Sequence, residues 1–248
     1  MAQWNEPRPK QTGFGATPGS LGGLDARTTF DEGLRRHMLA IYNYMTSGVL
    51  LTAIVAMLTA NSGLAMTFAS GPMMWLVALS PLAIVFAMSF GANKFSKATL
   101  QILFWGFATL MGLSLSTLFL VYTQGSIAVA FFSAAAAFAG LSLWGYTTKK
   151  NLSGWGSFLV MGVVGLIVAS LLNTFFFQSG PLGLAVSVLG VLIFAGLTAY
   201  DTQRLKEEYA VLKGTEFAGK AVIMGALSLY LDFINMFLFI LRLFGNRE

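Results

Sequence analysis

Apolar residues in this chain come in long, nearly unbroken runs, without the alternation of a half-buried strand or the single stripe of a soluble helix. A bilayer core of about 30 Å needs about 20 helical residues. Reading apolar runs between polar breaks predicts seven spans, approximately Leu39–Ala60, Met73–Phe90, Ala98–Tyr122, Ile127–Tyr146, Ser157–Phe177, Leu182–Tyr200 and Ala221–Leu243. The breaks carry turn residues, as in Asn61-Ser62-Gly63, Ser70-Gly71-Pro72 and Gln178-Ser179-Gly180-Pro181. The second run is short and contains Pro81.

Lys and Arg mark one set of loops. Arg35 and Arg36 precede the first span, Lys94 and Lys97 follow the second, and Lys149 and Lys150 follow the fourth. Arg204, Lys206, Lys213 and Lys220 lie between the sixth and seventh, while the alternate loops at 61–72, 123–126 and 178–181 hold no charge. The positive-inside rule then places the N-terminus in the cytoplasm and leaves Arg242 and Arg247 on the wrong side as a minor violation. A re-entrant hairpin for the last run is the alternative. The expected fold is an all-α membrane protein, a seven-transmembrane-helix bundle with the last helix central.

Composition narrows the class. Of 248 residues, 56% are hydrophobic and 10% charged, against about 25% charged in an ordinary soluble domain. Mean hydropathy is +0.73. The net charge of +5 lies in loops where topology uses it, so it is no nucleic-acid signature. With no cysteine and a single histidine, His37, neither a disulfide framework nor a histidine-rich metal cluster is available. Residues 1–36 form a separate part. Met1–Ser20, rich in Gly, Pro, Gln and Thr, reads as a disordered cytoplasmic tail, and Asp31, Glu32, Arg35 and Arg36 suggest an amphipathic entry helix. No apolar stretch precedes Met38, so the first span is expected to be retained and not cleaved as a signal. Residues 37–248 make up the transmembrane domain.

Many small and hydroxylated residues within the spans fit close helix packing. Asn173 is harder to place, because a buried amide must find several partners. Asp232 is the sharpest feature. A charge at the bilayer midplane costs roughly 2.5–3.5 kcal/mol on insertion scales, so such groups face a protein interior, a cavity or a partner. Helical spacing puts Ser228 and Asn235 on its face, which suggests an ion or proton site, with a structural carboxylate as the plainer reading. Asp201 reads as a solvated, interfacial acid at the end of the sixth span. Counting from Ala221 at 1.5 Å per residue sinks Asp232 about 16 Å. The two acids would meet only through an inward cavity, or if the last helix started nearer Phe217 or sat shifted along its axis.

The stretches Leu171-Leu172-Asn173-Thr174-Phe175-Phe176, Gly190 through Tyr200-Asp201-Thr202-Gln203, and Leu229-Tyr230-Leu231-Asp232-Phe233-Ile234-Asn235 resemble the transmembrane Bax-inhibitor-motif family. The resemblance covers about residues 30–244 and implies a pH-sensitive calcium-leak, channel-like activity and no enzyme. It implies that Asp201 and Asp232 form a hydrogen-bonded, proton-sensitive latch closing the cytoplasmic side. Ser228, Asn235, Tyr200 and Arg204 are the supporting positions. No cofactor is implied. Calcium is the permeant ion, with Asp201 and Asp232 as the carboxylates that would meet a metal. Some relatives set an arginine of the second helix against the pair; here that span has no charge, and Lys94 and Lys97 lie nearest. Bacterial members are similar to an inner-membrane protein that modulates a membrane-bound quality-control protease. The implied partners are therefore the lipid bilayer and such a protease or another membrane protein, in a bacterial inner (plasma) membrane. Two alternatives stay open. One is a non-conducting modulator of a membrane complex. The other is an intramembrane aspartyl protease, whose Gly-x-Gly-Asp motif is absent at Leu229-Tyr230-Leu231-Asp232.

Overall fold

In a computed structural model of the chain, residues 18–246 are described, with side chains from residue 32 onward. The first 17 residues of the expected tail, and Arg247, lie outside the described residues. The chain divides into two units, Met1–Arg36 and His37–Glu248. In the first, Arg36 and Glu32 make an exposed ion pair at 3.3 Å. The second contains the bundle.

Among the described residues eight α-helices follow in order: α1 (Pro18–Asn61), the short α2 (Leu64–Phe68), α3 (Gly71–Gly91), α4 (Lys97–Leu115), α5 (Gln124–Thr147), α6 (Trp155–Leu172), α7 (Gly180–Leu212) and α8 (Ala218–Phe244). A 3₁₀ turn, Ser116–Leu120, prolongs α4, and a π turn, Asn173–Phe177, prolongs α6. No strand occurs among the described residues. Seven helices are long and apolar enough to cross a membrane, from Glu32–Asn61 to Ala218–Phe244, and they coincide with the seven spans expected. The starts are written in the sequence. The hydroxyls of Ser96, Thr123 and Ser179 accept from the backbone N–H of Thr99, Ser126 and Leu182, capping α4, α5 and α7.

α8 is the axis of the bundle. In its most apolar window 67% of residues are buried, against 11% for α3 and α6. It packs against α7, α5 and α4. Tyr230, fully buried, meets Phe107 edge-on at 4.9 Å, and Phe233 meets Phe131 at 5.4 Å. α5 and α7 approach so closely that a Cβ on Gly145 would overlap the Ala199 backbone. The last run is one uninterrupted helix, about 40 Å long at 1.5 Å per residue, and not a re-entrant hairpin.

The largest departure from the sequence reading is at α7, which runs twelve residues past Tyr200 to Leu212. Hydropathy falls where Asp201, Gln203, Arg204, Lys206, Glu207 and Glu208 begin. These residues are nonetheless mostly good helix formers, so the helix outlasts the apolar run.

Candidate functional site

Helices α7 and α8 run antiparallel and are joined by residues 213–217. Asp201 lies 11 residues before the end of α7, and Asp232 lies 14 residues after the start of α8. The two levels differ by three residues, about 4.5 Å along the axis. The depth mismatch expected from the sequence disappears, because α7 carries Asp201 well inside the helical hairpin. Asp201 is 6% exposed and Asp232 is 4% exposed, so neither is the solvated interfacial acid that Asp201 resembled.

Asp201 is held from two sides. The Arg204 guanidinium, one turn on in α7, pairs with its Oδ1 at 3.4 Å and donates to Ser228 Oγ of α8 at 3.1 Å. Ser228 in turn stands within hydrogen-bonding reach of the Asp201 carboxyl. Arg204 is half exposed and Asp201 buried, so one face of this triad is open to solvent.

Asp232 lies one turn beyond Ser228 on α8. Its Oδ2 is buried and has no hydrogen-bond partner. The charges acting on it are those of Asp201 and Arg204. Asp201 and Asp232 are electrostatic neighbours, and Asp201 is also drawn to Arg204 and Ser228. One guanidinium therefore faces two carboxyl groups in a buried setting, where an unpaired charge is costly.

The other expected positions divide. Tyr200 offers its ring to Arg204, whose guanidinium carbon lies 5.9 Å from the ring centre. Asn235 donates from Nδ2 to the Leu231 carbonyl of its own helix at 2.8 Å. The basic partner comes from α7 and not from the end of the second span. Lys97 sits against Gly219 at the start of α8, and Lys220 reaches the Asn93 carbonyl at 3.4 Å. Among the described residues no three His, Cys, Asp or Glu side chains are grouped as a metal cage. Two carboxylates and one hydroxyl fall short of the six to eight oxygens that a resident calcium takes.

Sequence reasoning missed the polar links around the pair. Tyr42 of α1, Ser142 of α5 and Thr202 of α7 form a hydroxyl chain with spacings of 2.6 and 2.9 Å, beginning at the residue next to Asp201. Gln203 clamps the loop between α5 and α6, accepting from Leu152 N at 2.7 Å and donating to the Lys150 carbonyl at 2.9 Å. Lys206 donates to the Tyr146 carbonyl at 2.9 Å. Partners 50 to 100 residues apart leave no periodic trace, so only the polar character of these positions could have been noticed.

A family model described as "Inhibitor of apoptosis-promoting Bax1" matches residues 34–248. An inner membrane protein of Escherichia coli, YbhL, is 46% identical over 220 residues, covering 87% of this chain and 94% of that one. A Rickettsia prowazekii protein is 44% identical over 222 residues, 89% of this chain and 93% of that one. A Caulobacter vibrioides protein is 44% identical over 235 residues, 90% and 94% of the two chains.

Proposed function

Because the chain belongs to the family of inhibitors of apoptosis-promoting Bax1, and is an integral membrane protein of the bacterial inner-membrane type, we propose that it is a pH-sensitive calcium-leak protein gated by Asp201 and Asp232. The observation that carries this reading is the buried, unpartnered Oδ2 of Asp232 beside an Asp201 already engaged by Arg204. With both acids ionised, one guanidinium offsets only one of two negative charges. A single proton restores neutrality and lets the two carboxyl groups share a hydrogen, so the pair titrates as a unit. Protonation closes the gap between α7 and α8. Loss of the proton adds repulsion at the axis of the bundle and opens it, with calcium passing the exposed carboxylates as cargo.

This reading takes the end where α7 meets α8 as cytoplasmic, in keeping with the Lys and Arg of the neighbouring loops. The half-exposed Arg204 would then face the cytoplasm and the cluster would sit at a cytoplasmic mouth. No chemical step is assigned to the two acids, and the protein acts without a cofactor.

The test is calcium entry into vesicles that hold the purified protein and a calcium-sensitive dye, followed between about pH 6 and pH 8, since a coupled carboxyl pair exchanges its proton as one unit. Flux above that of empty vesicles, rising with pH, is expected. Flux equal to that of empty vesicles throughout overturns the leak reading in favour of a non-conducting modulator of a membrane-bound protease or other membrane complex.

A further inference from the structure

Arg242 breaks the charge pattern of this bundle: it lies at the end where the loops 61–72, 123–126 and 178–181 hold no charge. It is exposed, and among the described residues it makes no ion pair. Its guanidinium stacks on Phe239 with the carbon 5.6 Å from the ring centre. That ring is wedged where a Cβ on Gly190 of α7 would collide with it. Arg242 is therefore held against α7 at the rim of a cavity of about 520 Å³, shared by α6, α7 and α8 and lined also by Asn173, Thr174, Ser179 and Ser187. No acidic side chain lines it.

The backbone around this cavity is irregular. The π turn Asn173–Phe177 ends on Gln178, at φ 45° the one non-glycine residue with positive φ among those described. π turns often mark functional sites. Asn173 uses its Oδ1 to accept from Ser179 N at 2.9 Å, which leaves the two Nδ2 hydrogens free to donate on the side that meets Gly183. The cavity thus offers a cation and amide donors, with no anion of the protein's own. Its outer flank is oily, with Leu172, Phe175, Phe176 and Leu184 exposed along α6, the π turn and α7. A polar, cationic recess bordered by lipid-facing aromatic and aliphatic side chains matches a phosphate that carries acyl chains.

We propose that this cavity binds the phosphate of an anionic phospholipid headgroup, with Arg242 as its counter-charge and Asn173 as a donor. Free inorganic phosphate shares the phosphate chemistry but leaves the oily flank unused. The site lies far from the carboxyl pair, since Ser187 and Asp201 are 14 residues apart on α7, about 21 Å. Binding there does not depend on calcium flux.

The experiment is native mass spectrometry of the full chain in detergent with equal amounts of phosphatidylglycerol and phosphatidylcholine of identical acyl chains. One phosphatidylglycerol is retained in preference to phosphatidylcholine. Arg242→Gln lowers that preference about fivefold, the contribution of one basic residue at an anionic lipid surface, and Arg242→Lys keeps most of it. Thr174→Phe, which fills the cavity from an exposed position without touching the charge, also lowers it. Equal retention of the two lipids, or a preference unchanged in both Arg242→Gln and Thr174→Phe, overturns the proposal. Displacement of the lipid by inorganic phosphate reassigns the cavity to a free anion and overturns the lipid reading.

Discussion

Arg204 pairs with Asp201 at 3.4 Å, and the same guanidinium group donates to Ser228, one turn before Asp232. The cation thus spans the two helices that carry the acids and balances only the nearer one. Asp232 is left with a buried oxygen and no partner. Everything proposed about gating follows from this unequal sharing of one positive charge between two carboxyl groups.

Asp232→Asn keeps the size of the side chain and removes its titration. The buried Oδ2 has no hydrogen bond to lose, so the variant inserts and folds like the wild type. Calcium flux in vesicles becomes independent of pH, varying less than about twofold per pH unit where the wild type changes by up to about tenfold. A variant that fails to accumulate in the membrane would point to a structural carboxylate instead.

Arg204→Gln tests the counter-charge. Arg204 is half exposed, so solvent screens its pairing with Asp201 and the loss of stability is at most about 1 kcal/mol. The functional effect is larger. Without the guanidinium, the two carboxyl groups hold their shared proton more firmly, because nothing offsets the negative charge left when it departs. The pH at which flux reaches half its maximum moves upward. An unchanged or lower midpoint would remove Arg204 from the gate.

The seven spans were legible because apolar runs bounded by Gly, Pro and Asn need no tertiary information. The buried setting of Asp232 was legible for a related reason: a charge in an apolar helix stands out in one dimension. Asp201 was not legible from spacing. Its sequence neighbours are charged, and hydropathy cannot tell a helix that continues to Leu212 from one that stops at the interface. The motif resemblance drew attention to it, and the level of Asp201 against Ser228 supplied the geometry. Asn235 shows a different limit of spacing. Its i+3 spacing places it on the face of Asp232, but the amide bonds back to Leu231. Helical spacing fixes where a Cβ points, not what the side chain finds.

Gly145 marks the closest approach of α5 to α7, the helix that carries Asp201. A Cβ there would overlap the Ala199 backbone, and backbone cannot rotate aside. Gly145→Val is expected to cost about 1–3 kcal/mol, the usual range for overpacking a tight interface. Gly140→Ala, five residues earlier on the same helix and facing open space, is the control and changes stability by less than about 0.5 kcal/mol. Thermal unfolding in detergent compares the two. Equal midpoints would mean that α5 and α7 are free to part.

Thr52 and Tyr230 make the final test, because the direction of their hydrogen bond is fixed by a third group. Thr52 Oγ1 donates to the Ala108 carbonyl at 2.8 Å, which commits its only proton. At 2.7 Å the Tyr230 hydroxyl must therefore be the donor to Thr52. One buried contact thus ties α1, α4 and α8 together at the axis of the bundle. Tyr230→Phe removes a donor and leaves an oxygen that still has one bond, at a cost of about 1 kcal/mol. Thr52→Val leaves the buried Tyr230 hydroxyl without an acceptor and costs more, about 1–3 kcal/mol. The double variant is less damaging than the sum, with a coupling of about 0.5–1.5 kcal/mol. Measured by denaturant titration in detergent, strictly additive costs, or a Tyr230→Phe that costs more than Thr52→Val, would show that this contact does not hold the central helix in place.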